Sequence, residues 1–313
     1  MIIRSIATFW RAERASARQI LTTSASTRYS GDMFAGTSPT VASAPSAATV
    51  PYFAYQVDTS GTFSSSSTIA ITHGLGYTPA AVFAWATESN TLLQGGRFSD
   101  TTTVATLKNS IFGTVTNPVF NIFVLKAALD STLTTTSATH TYERCASQTT
   151  GSGKISAGVV TAGGTSSAAF TVPHGLGATP TSILVFSGVN WNSVSSIDAT
   201  SFVVTFNIAQ SDVSNLFRWV AFLSASDTLF TSGSFAIPTG ATTTVPHILG
   251  AQPVLLCSLK TKTGAQSFEN GGTNTVSGVT PVVFTFLNNN SGASMDLFYT
   301  ALQGTEAPST TIA

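Results

Sequence analysis

The stretch Val172-Pro173-His174-Gly175-Leu176-Gly177-Ala178-Thr179-Pro180 decides how this chain folds, because two relatives of it stand elsewhere in the same sequence. They are Ile71-Thr72-His73-Gly74-Leu75-Gly76-Tyr77-Thr78-Pro79 and Val245-Pro246-His247-Ile248-Leu249-Gly250-Ala251-Gln252-Pro253. The shared pattern is a β-branched residue, any residue, His, any residue, Leu, Gly, two residues and Pro, and it takes three of the four histidines. Each Pro leads into a short apolar run, at 81–85, 183–186 and 254–257, of strand length and strand composition. Gly76, Gly177 and Gly250 can take positive φ without steric cost, while Pro79, Pro180 and Pro253 open the next strand without needing a ladder N–H. The motif reads as a strand, a tight turn and a buried strand, with Leu75, Leu176 and Leu249 pointing inward.

The likeness extends on both sides. Phe202-Val203-Val204-Thr205-Phe206 matches Val282-Val283-Phe284-Thr285-Phe286, and 216–222 matches 296–302, with 119–125 filling that role in the first copy. Opening strands are expected at 53–57, 158–161 and 233–237. The histidines lie 101 and 73 residues apart, which gives a unit of about 75 residues and a surplus of about 25 between the first two copies. That surplus is Ser- and Thr-rich and reads as a linker. The expected division is an arm at 1–50, sandwich repeats at 51–130, 154–227 and 228–313, and a linker at 131–153. The fold class is all-β, three tandem small antiparallel β-sandwiches, with no helix after residue 50. Units this small are marginal alone, so they are expected to share buried surface with neighbouring copies or chains.

Composition narrows the function. Of 313 residues, 42% are apolar but only 8% charged, where an ordinary soluble domain has about 25% charged. The 13 basic residues cancel the 13 acidic ones, so no net field draws the chain to nucleic acid, and none is expected as a partner. So little charge suits a component of an assembly, as a homo-oligomer or as a pseudo-trimer within one chain. No apolar run approaches the length that crosses a bilayer as a helix, so membrane insertion is not expected. Cys145 and Cys257 are too few for a disulfide framework and are expected as free thiols.

Charge gathers at one end. Arg4, Arg11, Arg14, Arg18 and Arg28 face a single acid, Glu13, in the first 28 residues. Ile3, Ile6, Trp10, Ile20 and Leu21 give a rough helical spacing, and 22–50 turns to Ser, Thr, Ala, Gly and Pro without any period. The segment reads as an extended, partly helical arm that docks on a neighbour through Arg4, Trp10, Arg11, Arg14 and Arg18. A solvated tail and an organelle transit peptide are the other two readings.

A strand ending in His-x-Leu-Gly, a Pro, an apolar strand and an aromatic-rich closing strand resembles repeats of tail-fibre, spike and decoration proteins in tailed-bacteriophage virions. The strand order is also similar to the H-type lectin fold, a six-stranded sandwich that commonly trimerises and binds sugars. The resemblance covers about residues 52–304. It implies a virion location, other virion structural proteins as partners, and a non-enzymatic structural role anchored by the arm. The alternative it implies is a module that binds a host-surface glycan or receptor through loops such as 190–196 and 266–274. Ile248 departs from the pattern where the other copies carry Gly, and no lectin sugar site transfers by position.

Reactive side chains are sparse. His73, His174 and His247 could meet on one metal ion around a pseudo-threefold, but the motif brings no Asp, Glu or Cys with them, so a ring donating to a turn carbonyl is expected instead. Neither metal nor cofactor is expected. Gly151-Ser152-Gly153-Lys154 falls short of a phosphate loop, since Gln148 replaces its first Gly and Ile155 its Ser or Thr. His140, Glu143, Arg144 and Cys145 contain a Cys/His pair, read as part of a solvated connector. No two carboxylates pair on one strand face, so glycoside hydrolysis finds no acid and base within one chain and would need a carboxylate pair within about 10 Å across an interface. Trp191, between Asn190 and Asn192 in an expected loop, could stack on a sugar ring.

Overall fold

Val119-Phe120-Asn121-Ile122-Phe123-Val124-Leu125 is buried at every position, so this strand requires protein on both of its faces. Phe120, Ile122 and Val124 join Ile69, Ile71 and Val82 in one apolar cluster, while Phe123 and Leu125 enter a second and larger one. The alternation of a strand thus sends one set of side chains into a local sandwich and the other into a shared core.

The structure is a computed structural model that describes residues 50–58, 62–63, 67–86, 95–109, 115–116, 119–163, 167–186, 191–210, 216–224, 228–261, 275–277, 283–287 and 294–312. The arm residues Arg4, Trp10, Arg11, Arg14 and Arg18, and the loop 266–274, lie outside the described residues.

The first segment holds β1 (Tyr52–Asp58), β2 (Thr62–Phe63), β3 (Thr68–Thr72), β4 (Val82–Ala86), β5 (Gly95–Asp100), β6 (Val104–Asn109), β7 (Val115–Thr116) and β8 (Val119–Leu125). Then come β9 (Asp130–Thr136), β10 (His140–Arg144) and β11 (Gln148–Thr150). The next segment holds β12 (Gly153–Ala162), β13 (Ser167–Pro173), β14 (Ser182–Phe186), β15 (Trp191–Ser195), β16 (Ser201–Gln210) and β17 (Phe217–Leu223). The last holds β18 (Phe230–Ile237), β19 (Thr242–Pro246), β20 (Val254–Thr261), β21 (Thr275–Ser277), β22 (Val283–Leu287), β23 (Met295–Leu302) and β24 (Ser309–Ile312). The protein is all-β: the described residues contain no helix, and the strands pair antiparallel in several sheets.

One strand order recurs. The inner ladders run β1-β8-β4, β12-β17-β14 and β18-β23-β20, and the outer ones β3-β6-β5, β13-β16-β15 and β19-β22-β21. A single pairing, Ser193 with Thr261, joins β15 to β20 and merges two ladders into one sheet. Glycine permits two of the inner ladders. Gly158 faces Trp219 across β12 and β17, and a Cβ there would meet the indole at 2.9 Å. Gly233 stands in the same relation to Tyr299, at 2.8 Å from its hydroxyl.

The three inner ladders pack on one another. Phe83 of β4 stacks on Phe186 of β14 with ring centroids 3.3 Å apart, and Phe123 meets the edge of Phe222 at 5.8 Å. Phe222 in turn packs on Phe230 at 5.7 Å. Each such ring contributes about 1.5–3 kcal/mol by leaving water. Two polar contacts cross this core: the Tyr52 hydroxyl donates to the Leu229 carbonyl at 2.9 Å, and Thr300 Oγ1 donates to Ser182 Oγ at 3.1 Å.

Three features differ from the sequence reading. The stretch 131–153 is not an unpaired connector, because β9, β10 and β11 extend the sheet of β12 in the order β14-β17-β12-β10-β9, with β11 also on β12. Trp191 begins strand β15, paired with Phe206, rather than lying in a loop. The C-terminal strand β24 leaves the last segment and pairs with β3 of the first, Ser309 opposite Thr72 and Ile312 opposite Ile69.

Candidate functional site

The repeated corner is built by one hydrogen bond. Nδ1 of His73 accepts the Leu75 N–H at 3.2 Å, Nδ1 of His174 that of Leu176 at 3.1 Å, and Nδ1 of His247 that of Leu249 at 3.4 Å. An accepting Nδ1 is unprotonated, so in the neutral ring the proton sits on Nε2. All three rings are buried, as are Pro79, Pro180 and Pro253. Gly76, Gly177 and Gly250 turn the chain at φ of 76°, 75° and 66°. Gly74 and Gly175 also have positive φ, but Ile248 does not, so the third corner reaches the same bond by a different path. That path leaves Ile248 58% exposed.

A hairpin loop backs the first two corners. Asp198 Oδ1 accepts from Thr200 N at 2.7 Å and Ser201 N at 2.8 Å, and the Asp198 carbonyl accepts from Nε2 of His174 at 3.0 Å. Thr101 closes the corresponding loop near His73, its Oγ1 accepting from Thr103 N at 3.2 Å and Val104 N at 2.9 Å. Burial lowers the pKa of both histidines, and the backbone of Thr101 or Asp198 opposes that shift. The Asp198 carboxyl is pulled down to about 2 by its Thr200 and Ser201 donors. These backing residues escaped the sequence reading, although the spacings Asp198-x-Thr200 and Thr101-x-Thr103 are those of side chains that bond their own backbone two residues on.

The second corner carries one further group. The Arg144 guanidinium lies over Gly175, where a Cβ would meet its Nη1 at 2.3 Å, and it also donates to the Cys145 carbonyl at 3.5 Å. Among the described residues no side-chain atom approaches Gly74 in this way.

The remaining candidates separate. The three corner histidines do not converge: among the described residues no three His, Cys, Asp or Glu side chains come together as a metal site. His140 packs its ring against Tyr142 and Phe170 and meets the hydroxyls of Ser137 and Thr139 through Nδ1. Cys145 is buried, and its Sγ accepts the Ala157 N–H at 3.3 Å. Burial pushes this thiol up, opposite to the shift that activates a nucleophile. Gly151 forms the tight turn of the β11–β12 hairpin at φ 57°, and Lys154 Nζ donates to the Leu176 carbonyl at 3.4 Å. Arg218, half-buried between the first two segments, donates to the Ala80 carbonyl at 3.4 Å, and burial lowers its pKa to about 10. These arrangements hold backbone in place.

Comparison of the chain with protein-family models, with curated proteins and with solved structures finds no match.

Proposed function

We propose that this chain is a non-enzymatic structural component of a tailed-phage particle, a fibre, spike or decoration element, in which three H-type-lectin-like sandwiches close on each other within one chain. One observation carries the reading: the same strand order and the same His-to-Leu corner bond occur three times around one apolar core. Such a block supplies threefold packing from a single polypeptide and needs no second chain to cover its inner ladders. The scarcity of charge adds support, since a surface with so few like charges offers little resistance to close packing in a particle. The histidines, the natural candidates for chemistry, have their Nδ1 lone pairs committed to the backbone. In this reading the basic arm, with Arg4, Trp10, Arg11, Arg14 and Arg18, attaches the block to its neighbours.

The test is localisation. Purified particles are probed with an antibody against residues 52–304, and a chain lacking residues 1–28 is supplied in parallel. The reading expects the full chain on the particle, and the shortened chain folded but left in the soluble fraction. Absence of the full chain from particles removes the structural role; normal incorporation of the shortened chain removes the anchoring role.

A further inference from the structure

The second residue of the corner motif is Pro173 in the second copy and Pro246 in the third, but Thr72 in the first. Each ends an outer strand at the same register against its neighbour, with Pro173 opposite Ser201, Pro246 opposite Val283 and Thr72 opposite Val104. In an antiparallel ladder a residue sends its N–H and C=O to one neighbour only, and facing residues alternate between hydrogen-bonded and non-hydrogen-bonded pairs. The His174 N–H donates to the Thr200 carbonyl at 3.1 Å, so Pro173 and Ser201 are a non-hydrogen-bonded pair, and the N–H that proline lacks belongs to the outer edge. Pro246 has no N–H to exchange with Val283 and stands the same way. The Val104 carbonyl accepts the Thr101 N–H at 2.8 Å on its β5 side, so Thr72 also faces outward, with an N–H to give.

Proline is one of the devices that close a sheet edge to a further strand. Among the described residues β13 and β19 end their ladders, whereas β3 has β24 on its outer side, Ser309 opposite Thr72 and Thr311 opposite Ala70. The copy without the proline is the one that takes an added strand. That strand is held mainly by its backbone: Thr305 is buried, but from Glu306 to Thr311 every residue is exposed or half-buried. Ala307 packs against the smaller apolar cluster, and Thr310 Oγ1 lies 2.8 Å from the Tyr55 hydroxyl. In strand addition the main-chain bonds supply affinity and alternate side chains supply selectivity.

We propose that the outer edge of β3 is a binding site for an extended Ser/Thr-rich peptide strand, opened by Thr72, and that residues 305–312 of this chain fill it as a latch between the last segment and the first. Pro173 and Pro246 close the equivalent edges of the other two copies. The site is read from the fold alone and stands independently of any place on a particle.

Hydrogen exchange of the full chain, read by mass spectrometry, tests the latch, and fluorescence anisotropy with a labelled peptide of residues 305–313 tests the site. Thr72→Pro gives β3 the residue that β13 and β19 carry at this register, so the corner keeps its fold while the edge loses its N–H. The expected result is loss of protection across 306–312 with 52–58 and 119–125 still protected, and Thr72→Ala, which keeps the N–H, should retain all of it. Thr311 and Ala70 are the next hydrogen-bonded pair after Ser309 and Thr72, so Thr311→Pro removes a donor of the latch itself and should release it from an intact edge. The peptide is then expected to bind the Thr311→Pro chain, but neither the unaltered chain, whose site is filled, nor Thr72→Pro, whose edge is closed. Protection of 306–312 that survives either proline, its loss in Thr72→Ala, unfolding of the first segment by Thr72→Pro, or a peptide that fails to bind Thr311→Pro or binds Thr72→Pro equally well overturns the proposal.

Discussion

Ala54 and Thr305 lie 251 residues apart and share three hydrogen bonds: the Thr305 N–H donates to the Ala54 carbonyl at 2.7 Å, the Ala54 N–H donates to Thr305 Oγ1 at 3.0 Å, and Thr305 Oγ1 donates to the Ala54 carbonyl at 3.4 Å. Both residues are buried. The end of the chain is thereby fastened to its first described strand just before β24 pairs with β3.

Thr305→Ala leaves the Ala54 N–H buried without its side-chain acceptor. A loss of about 1–3 kcal/mol is expected, the cost of an unsatisfied buried donor. Urea unfolding measures it, and Thr305→Ser, which keeps the hydroxyl, should recover most of the stability.

Corner glycines should differ from the residue that replaces one of them. Gly177→Ala meets no atom of the described residues within 4 Å, so its cost is that of a side chain at φ 75°, about 1–2 kcal/mol. Ile248 already sits at ordinary φ and is exposed, so Ile248→Gly should cost less than Gly177→Ala. Equal losses in thermal melts would show that the third corner is built like the other two.

Acid should weaken the fold through its histidines. Burial lowers the pKa of His73, His140 and His174, so the unfolded chain takes up protons first as pH falls. Their contribution is fully present above the unfolded value of about 6.5 and is lost as pH falls below it toward the lowered folded values. Asp198 adds a second step, present above the ordinary carboxylate value and lost as pH falls through about 2. Chemical denaturation between pH 8 and pH 5 should show stability rising with pH. His174→Asn, whose amide oxygen accepts at every pH, should flatten that slope.

Thiol labelling offers an independent reading of the core. Cys145 and Cys257 are both buried and free, and burial pushes both thiols up. Neither should react with a maleimide in the native protein, and both should react in denaturant, as mass spectrometry would record. Rapid native modification of Cys257 would contradict the packing of β20 against β23.

By itself the sequence determined the class of fold and its corners. A positive φ at Gly76 or Gly177 and a Pro that opens the next strand are local requirements, satisfied within nine residues of chain; the ring, read as a donor to a turn carbonyl, instead accepts the Leu75 or Leu176 N–H through Nδ1. The apolar runs that follow are strands for the same local reason. Tertiary structure alone decided which ladders meet. That Phe83 stacks on Phe186, that β24 returns to β3, and that Arg144 lies over Gly175 depend on residues far apart in the chain or on separate strands, and no spacing records them. The stretch 131–153 was misread for a related reason. An edge strand with one half-buried Leu shows no apolar alternation, and its identity as a strand comes from the ladder of β10 and β12 beside it.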